Sequence, residues 1–447
     1  MSPVPIDFSE LRRRELGERE SRSPLAFGPS SLHRPDELLV DDRASTHIKT
    51  RLLSEGCRPF VPQATTPGNG PHWRDQIGLP AERNDLNRSL AKVGATLWTL
   101  PRNSDVTEVV ADLRATLDNL SDDPTLRSGV GPNHVYCGEG VYQGGPGGPP
   151  FTGHELSLAT GPAPAGASVG LAVLDTGLPV GWESLHPALK DFVVADRNDP
   201  KDSFPTAAVD PVAGAGPVAD VDRILATEAG HGIFITGLVH RVAPALIVDA
   251  GKVLDATGLG DDATVIAELV ETPAQVICLS LGGYTLDDQP PIALLSAINM
   301  LGLQGRVVVA AAGNNSSARP FWPAAAKGVI AVAAFDTRGP DLAPADFSNF
   351  GSWVDVCAPG CDLLSTFGQG TWQTKPGEPT LKFDRWAGWS GTSFAAPLVA
   401  AEIARRVAEP TEQRSARRVA LEFLSELDEA PWMGFGQLYQ PPVRLTR

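Results

Sequence analysis

Apolar positions along the 447-residue chain fall into two regimes, separated by a stretch rich in glycine and proline. In the first, short apolar runs flank two periodic segments. Residues 37–40 (ELLV) predict a strand. Residues 45–56 predict a helix, with Ile48, Leu52 and Leu53 at helical spacing and Gly56 as its stop. Residues 90–100 (LAKVGATLWTL) predict extended chain, two strands divided at Gly94. Residues 105–120 are the clearest helix, because Val106, Val109, Val110, Leu113 and Leu117 line one face. His134, Val135 and Tyr136 predict a closing strand. The order β-α-β-β-α-β is the split βαβ arrangement, a small ferredoxin-like α+β unit.

From about residue 168 the pattern changes. Continuous apolar runs at 169–174, 245–249, 276–281, 307–311 and 329–333 alternate with helical segments such as 263–269 and 292–301. Uninterrupted apolar strands separated by helices predict an α/β fold, a doubly wound and mostly parallel sheet covered on both faces. The expected organisation is a flexible tail over 1–35, the α+β unit over 36–137, a Gly/Pro linker over 138–166 and the α/β domain over 167–447.

Composition narrows the function. A hydrophobic share of 42% with 20% charged residues is a globular balance. The formal net charge of −16 argues against nucleic acid or an anionic membrane surface as the main partner. The N-terminal residues lack the apolar run of an export signal, and no stretch approaches the roughly 18 uninterrupted apolar residues of a spanning helix, so a cytoplasmic location is expected. Five cysteines cannot all pair within one chain, and reduced thiols are the simplest account. Cys357 and Cys361 are close enough in sequence to pair or to share a metal, but no second Cys/His pair stands near them at zinc spacing, so no metal site is expected. Aspartates between 191 and 222 lie in a Pro-rich stretch that reads as a solvated loop, with structural calcium as the alternative reading.

Four polar signals stand where an open α/β sheet places its ligands, at strand ends and helix starts. In Val173-Leu174-Asp175-Thr176-Gly177 an apolar strand runs into a carboxylate that, once buried, needs a partner. In Gly230-His231-Gly232 a histidine between glycines begins an apolar helix. In Gly391-Thr392-Ser393 a serine opens a helix, at the end where backbone N–H groups are unpaired. In Ala312-Gly313-Asn314 a buried strand ends on a carboxamide able to donate to a developing oxyanion. Each has a bland alternative: an Asx turn, a structural histidine, an N-cap serine, a turn asparagine. Together they supply the acid, base, nucleophile and oxyanion donor that acyl transfer requires.

With these motifs in order, residues 168–440 resemble the subtilisin-like serine proteases. VGLAVLDTGL resembles the aspartate motif, GHGIFITGLV the histidine motif, GTSFAAPLVA the serine motif and AAAGNN the oxyanion motif. SLHP at 184–187, SLGG at 280–283 and DFSNFGSWVDVCAPG at 346–360 add support. Ile233 and Phe394 depart from the usual residues of the histidine and serine motifs, and neither removes a catalytic group. The resemblance implies a serine endopeptidase with Asp175, His231 and Ser393 as its triad, Asn314 as oxyanion donor and no cofactor required for chemistry. It implies an extended protein or peptide substrate between two edges, Ser280-Leu281-Gly282 and Gly258-Leu259-Gly260, with Gly313 beside them and the loop 315–322 shaping the first pocket. The unit at 36–137 resembles the family's inhibitory propeptide, so the chain's own N-terminal domain is expected to act as an intramolecular inhibitor, removed by cleavage between 138 and 166. Two rival readings compete with this one. Asp175-Thr176-Gly177 also spells an aspartic-protease motif, but no second Asp-Thr-Gly exists to supply the partner carboxylate. A catalytically silent scaffold that binds peptides in the same cleft is the non-enzyme reading, and a fluorophosphonate probe that failed to label Ser393 would favour it.

Overall fold

The structure is a computed structural model that describes residues 26–27, 31–60, 86–101, 104–138, 149–160, 169–179, 181–194, 203–204, 224–225, 228–254, 258–372, 381–409, 414–443 and 445–446. Most of the N-terminal tail, most of the aspartate-rich stretch 191–222 and parts of the 138–166 linker lie outside them. Among the described residues no helix is long and apolar enough to cross a membrane.

The N-terminal unit runs β1 (Ala26–Phe27), β2 (Leu32–Asp41), α1 (Asp42–Ser54), β3 (Arg58–Pro59), α2 (Leu86–Ala91), β4 (Ala95–Thr99), α3 (Val106–Leu120), α4 (Pro124–Arg127) and β5 (Val130–Cys137). Its antiparallel sheet has the order β5-β2-β4-β3, which is the fourth, first, third and second strand of the ferredoxin-like pattern. Asp41 and Asp105 cap α1 and α3 by accepting from backbone N–H groups of the first turn. Two sequence expectations need correction. The strand β2 begins at Leu32, inside the expected tail. Residues 90–100 are the end of helix α2, a turn and a single strand, rather than two strands about Gly94. Asn87 explains the difference: its side chain donates to the carbonyls of Phe60 and Leu97 and accepts from Leu97 N–H, which fixes a short helix beside β4.

The second unit begins with β6 (Phe151–Thr152), β7 (Leu171–Asp175), β8 (Leu178–Pro179), α5 (Trp182–Leu185), β9 (Val193–Val194), β10 (Ser203–Phe204) and β11 (Ile224–Leu225). It continues with α6 (His231–Val242), β12 (Val248–Lys252), β13 (Leu259–Asp261), α7 (Asp262–Glu271), β14 (Val276–Leu279), α8 (Ile292–Leu303), β15 (Val307–Ala311), β16 (Val329–Asp336) and β17 (Ala343–Pro344). It ends with β18 (Val356–Pro359), the hairpin β19 (Leu363–Trp372) and β20 (Leu381–Trp389), α9 (Thr392–Val407), α10 (Ala416–Ser425) and β21 (Gln437–Leu438). The main sheet has the order β21-β18-β16-β15-β14-β7-β12-β9, every neighbouring pair parallel. The chain leaves β7 toward β12 on one side and returns to β14 on the other, so the winding reverses at β7. Strand residues alternate between two cores. Leu171, Val173, Val276, Cys278, Val307 and Val309 face the helices α6 and α9, while Ala172, Leu174, Ile277, Leu279, Val308 and Ala310 face α7 and α8.

The two units share a core. One face of the N-terminal sheet covers its own helices through Leu38, Val40 and Trp98. The other, with Leu39, Leu97 and Tyr136, joins the cluster that holds α7 and α8. Around this contact Arg34 pairs with Asp261 at 3.1 Å, Lys92 with Glu271 at 2.7 Å and Arg114 with Asp287 at 2.8 Å.

Candidate active site

The reversal at β7 leaves a crevice beyond the strand ends, where this topology binds ligands. Asp175 is the last residue of β7 and is fully buried. His231 is the first residue of α6, also fully buried, and its Nδ1 lies 2.7 Å from Asp175 Oδ1. The helix comes this close because Gly232 has no side chain, since a Cβ there would collide with the Gly177 carbonyl. Thr176 Oγ accepts from Gly232 N–H at 3.0 Å and ties the aspartate turn to the histidine helix. Burial alone would push the His231 imidazole down; the Asp175 carboxylate, its hydrogen bond and the Glu228 carboxylate outweigh it, and the net shift is upward from 6.5.

Ser393 lies in the first turn of α9, buried, and its Oγ donates to the Ser280 carbonyl at 3.2 Å. Ser280 Oγ in turn donates to the Ser393 carbonyl at 2.7 Å. His231 Nε2 has no hydrogen-bond partner among the described residues, so the structure joins Asp175 to His231 and leaves the Ser393 hydroxyl turned to Ser280. Asn314 follows the end of β15, and its Oδ1 accepts from both the backbone N–H and the hydroxyl of Thr392, each at 2.9 Å. With the oxygen held there, the amide nitrogen is the opposite end of the group. Gly313 N–H donates to the same Thr392 hydroxyl at 3.0 Å.

The edges named from the sequence face each other, and β5 lies between them. Cys137 pairs with Gly282 through Cys137 N–H to Gly282 O at 2.9 Å and Gly282 N–H to Cys137 O at 3.2 Å. On the other side β5 runs antiparallel to β13, Cys137 opposite Leu259 and Tyr136 opposite Gly260, and Gly138 N–H donates to Gly258 O at 2.7 Å. A pocket of about 290 Å³, its open mouth included, adjoins Gly138, Gly282, Gly313, Asn314 and Ser393. Behind the strand, β5 grips the start of α7. The Asp262 carboxylate accepts from Tyr136 OH and from His134 N–H at 3.1 Å, and lies 3.0 Å from His134 Nδ1. Burial, then the neighbouring Asp262, holds the Tyr136 phenol well above 10, so it stays a donor.

Sequence reasoning missed several residues. Thr392 orients Asn314, and its place beside the serine in GTS was the available signal. Asn349 accepts from Asn315 and Ser317 N–H, both at 3.0 Å, and shapes the loop after β15. Glu228 is buried beside Gly258 and Gly138, with no motif to mark it. All five cysteines are buried and none forms a disulfide, Cys357 and Cys361 included. Among the described residues no cluster of His, Cys, Asp and Glu is placed to hold a metal ion.

Known proteins resemble this chain in sequence and in fold. Residues 166–416 match Peptidase_S8, the subtilase family. The chain is 32% identical over 326 residues to a thermophilic serine proteinase of Bacillus sp. (strain AK1), covering 70% of this chain and 72% of that one. It is also 32% identical over 270 residues to thermitase of Thermoactinomyces vulgaris, covering 58% of this chain and 81% of that protein. In three dimensions it resembles fervidolysin of Fervidobacterium pennivorans, described as a keratinolytic enzyme related to subtilisin, with a TM-score of 0.57 at 17% identity over 91% of this chain and 60% of that one.

Proposed function

The chain belongs to the subtilase family of serine endopeptidases, and from that premise we propose that it hydrolyses peptide bonds through Asp175, His231 and Ser393 and is made as a precursor inhibited by its own N-terminal domain. The observation that carries this reading is the buried Asp175–His231 hydrogen bond, at the head of a cleft whose two edges already hold a strand beside Ser393 and Asn314.

Asp175 fixes Nδ1 as the protonated nitrogen, which leaves Nε2 as the basic end. For attack the Ser393 hydroxyl leaves the Ser280 carbonyl and donates to Nε2. Its oxygen adds to the substrate carbonyl, and the imidazolium then protonates the departing amine. The oxyanion is received by the Asn314 amide and the Ser393 backbone N–H at the head of α9. Water repeats the sequence on the acyl-enzyme, and no step calls for a cofactor. Before this, β5 occupies the substrate's place: Cys137 and Gly138 make the main-chain bonds that an extended substrate would make with Gly282 and Gly258. The bond cut in maturation then lies within the first residues after Gly138.

Two measurements on the full chain test the proposal. N-terminal sequencing of purified wild type should find a new terminus shortly after residue 138, while Ser393→Ala stays intact. A fluorophosphonate probe should label Ser393 of the processed protein. Active enzyme that still begins at Met1 would remove the precursor reading, and a processed chain without adduct would restore the silent scaffold.

A further inference from the structure

The pocket beside Ser393 and Asn314 adjoins Gly138, the residue after the Cys137–Gly282 pair, and in the proposed mechanism it takes the side chain of the residue whose carbonyl is attacked. Its side walls are backbone: Leu281-Gly282 on one side and Gly313-Asn314 on the other. The ring of Phe321 also lines it and lies against both walls. A Cβ placed on Gly282 would collide with Phe321 Cε1 and lie 2.7 Å from Cδ1. A Cβ placed on Gly313, on the opposite wall, would lie 3.0 and 3.1 Å from the same two carbons. One ring edge therefore spans the gap between the walls and closes it.

The ring is held there. The next residue, Trp322, exchanges both backbone hydrogen bonds with Gly283, each at 2.8 Å. The Phe321 carbonyl accepts from Ala325 N–H at 2.8 Å. The ring packs edge-on against buried Tyr284, centroids 5.1 Å apart, and the Tyr284 hydroxyl donates to Asn315 Oδ1 at 3.2 Å. Phe321 itself is 5% exposed. A substrate side chain thus meets a buried, packed aromatic edge between two glycines.

We infer that Phe321 sets the cleavage preference of this enzyme, shortening the first pocket so that peptide bonds after small side chains are cut and bonds after bulky aromatic ones are refused. The inference rests on the proposed triad. The main-chain edges accept any sequence, so discrimination falls to this ring. Differences of a few carbons in such a pocket change kcat/KM by about 10- to 200-fold.

The experiment uses processed wild type, Phe321→Ala and Phe321→Leu, each titrated with a fluorophosphonate so that rates refer to active sites. Two peptide anilides are compared, identical except for Ala or Phe at the cleaved position. Wild type should favour Ala by about tenfold or more in kcat/KM. Phe321→Ala should raise kcat/KM on the Phe peptide by about 10- to 100-fold, with Phe321→Leu between. Labelled wild type that cuts the Phe peptide at least as well as the Ala peptide would overturn the pocket assignment alone. So would a ratio that neither substitution moves. Absence of label on Ser393 in all three proteins would overturn the triad reading and this inference together.

Discussion

In the proposed mechanism His231 takes a proton from Ser393, and it does so only while its imidazole is neutral. The Asp175 and Glu228 carboxylates hold its pKa above 6.5 against the opposing effect of burial. The acid limb of kcat/KM against pH should therefore have its midpoint above 6.5. Removing the Asp175 charge removes the main upward contribution, so Asp175→Asn should move that limb to lower pH while kcat falls by about 10⁴. A limb that stays in place in the variant would mean that Asp175 does not act on the base. Asp175 and His231 were legible in the sequence because each stands where a local pattern breaks: an apolar strand ending in a carboxylate, an apolar helix beginning on an imidazole. Thr392 was not, and Phe321 was legible only as one member of the loop 315–322 expected to shape the first pocket. The role of Thr392 depends on Asn314, 78 residues away, and that of Phe321 on Gly282 and Gly313, which meet only through the fold.

Among the elements, β5 joins the two units most directly, and its grip depends on the first turn of α7. Asp262 is buried there and accepts from two groups of β5, while Asn133 of the same strand accepts from Ala263 N–H at 3.1 Å. Asp262→Asn replaces one acceptor oxygen by a donor facing Tyr136 or His134. The N-terminal unit should then hold the cleft less firmly, and the full-length variant should mature faster than wild type, by about fivefold or more for a loss of ~1 kcal/mol. Time courses on gels would register this, and an unchanged rate would count against Asp262 as an anchor. The buried strands β14, β15 and β16 were legible as continuous apolar runs. The α2–β4 segment was not, since Leu86 and Leu90 are apolar for the sake of the contact with the second unit. In β2 the run Leu38-Leu39-Val40 carried an unused signal: Leu38 and Val40 face one core and Leu39 the other, so this strand is covered on both sides.

At the scale of the molecule, burial leaves two imidazoles neutral well into the acid range. His33, opposite His134 across the N-terminal sheet, and His240, on α6, are both lowered from 6.5 to about 4, by desolvation first in each case. The unfolded chain takes up protons at these sites before the folded one does. Their contribution to stability is therefore complete above about pH 6.5 and is lost as pH falls toward 4, by about 3 kcal/mol each. The thermal midpoint of the full chain should drop across that window, and His33→Gln should shrink the drop; a variant with the same drop as wild type would remove His33 from the account. Under the proposed processing, a short strand governs the new end of the chain. Thr152 and Phe151 pair antiparallel with Ala387 and Gly388 of β20, and the Phe151 ring lies over Gly388, where any Cβ would run into it. Whichever bond is cut after Gly138, the freed end has this tether a short way downstream. Aminopeptidases should nibble ragged termini back only to its edge, so that stored preparations converge on one common start just ahead of Phe151.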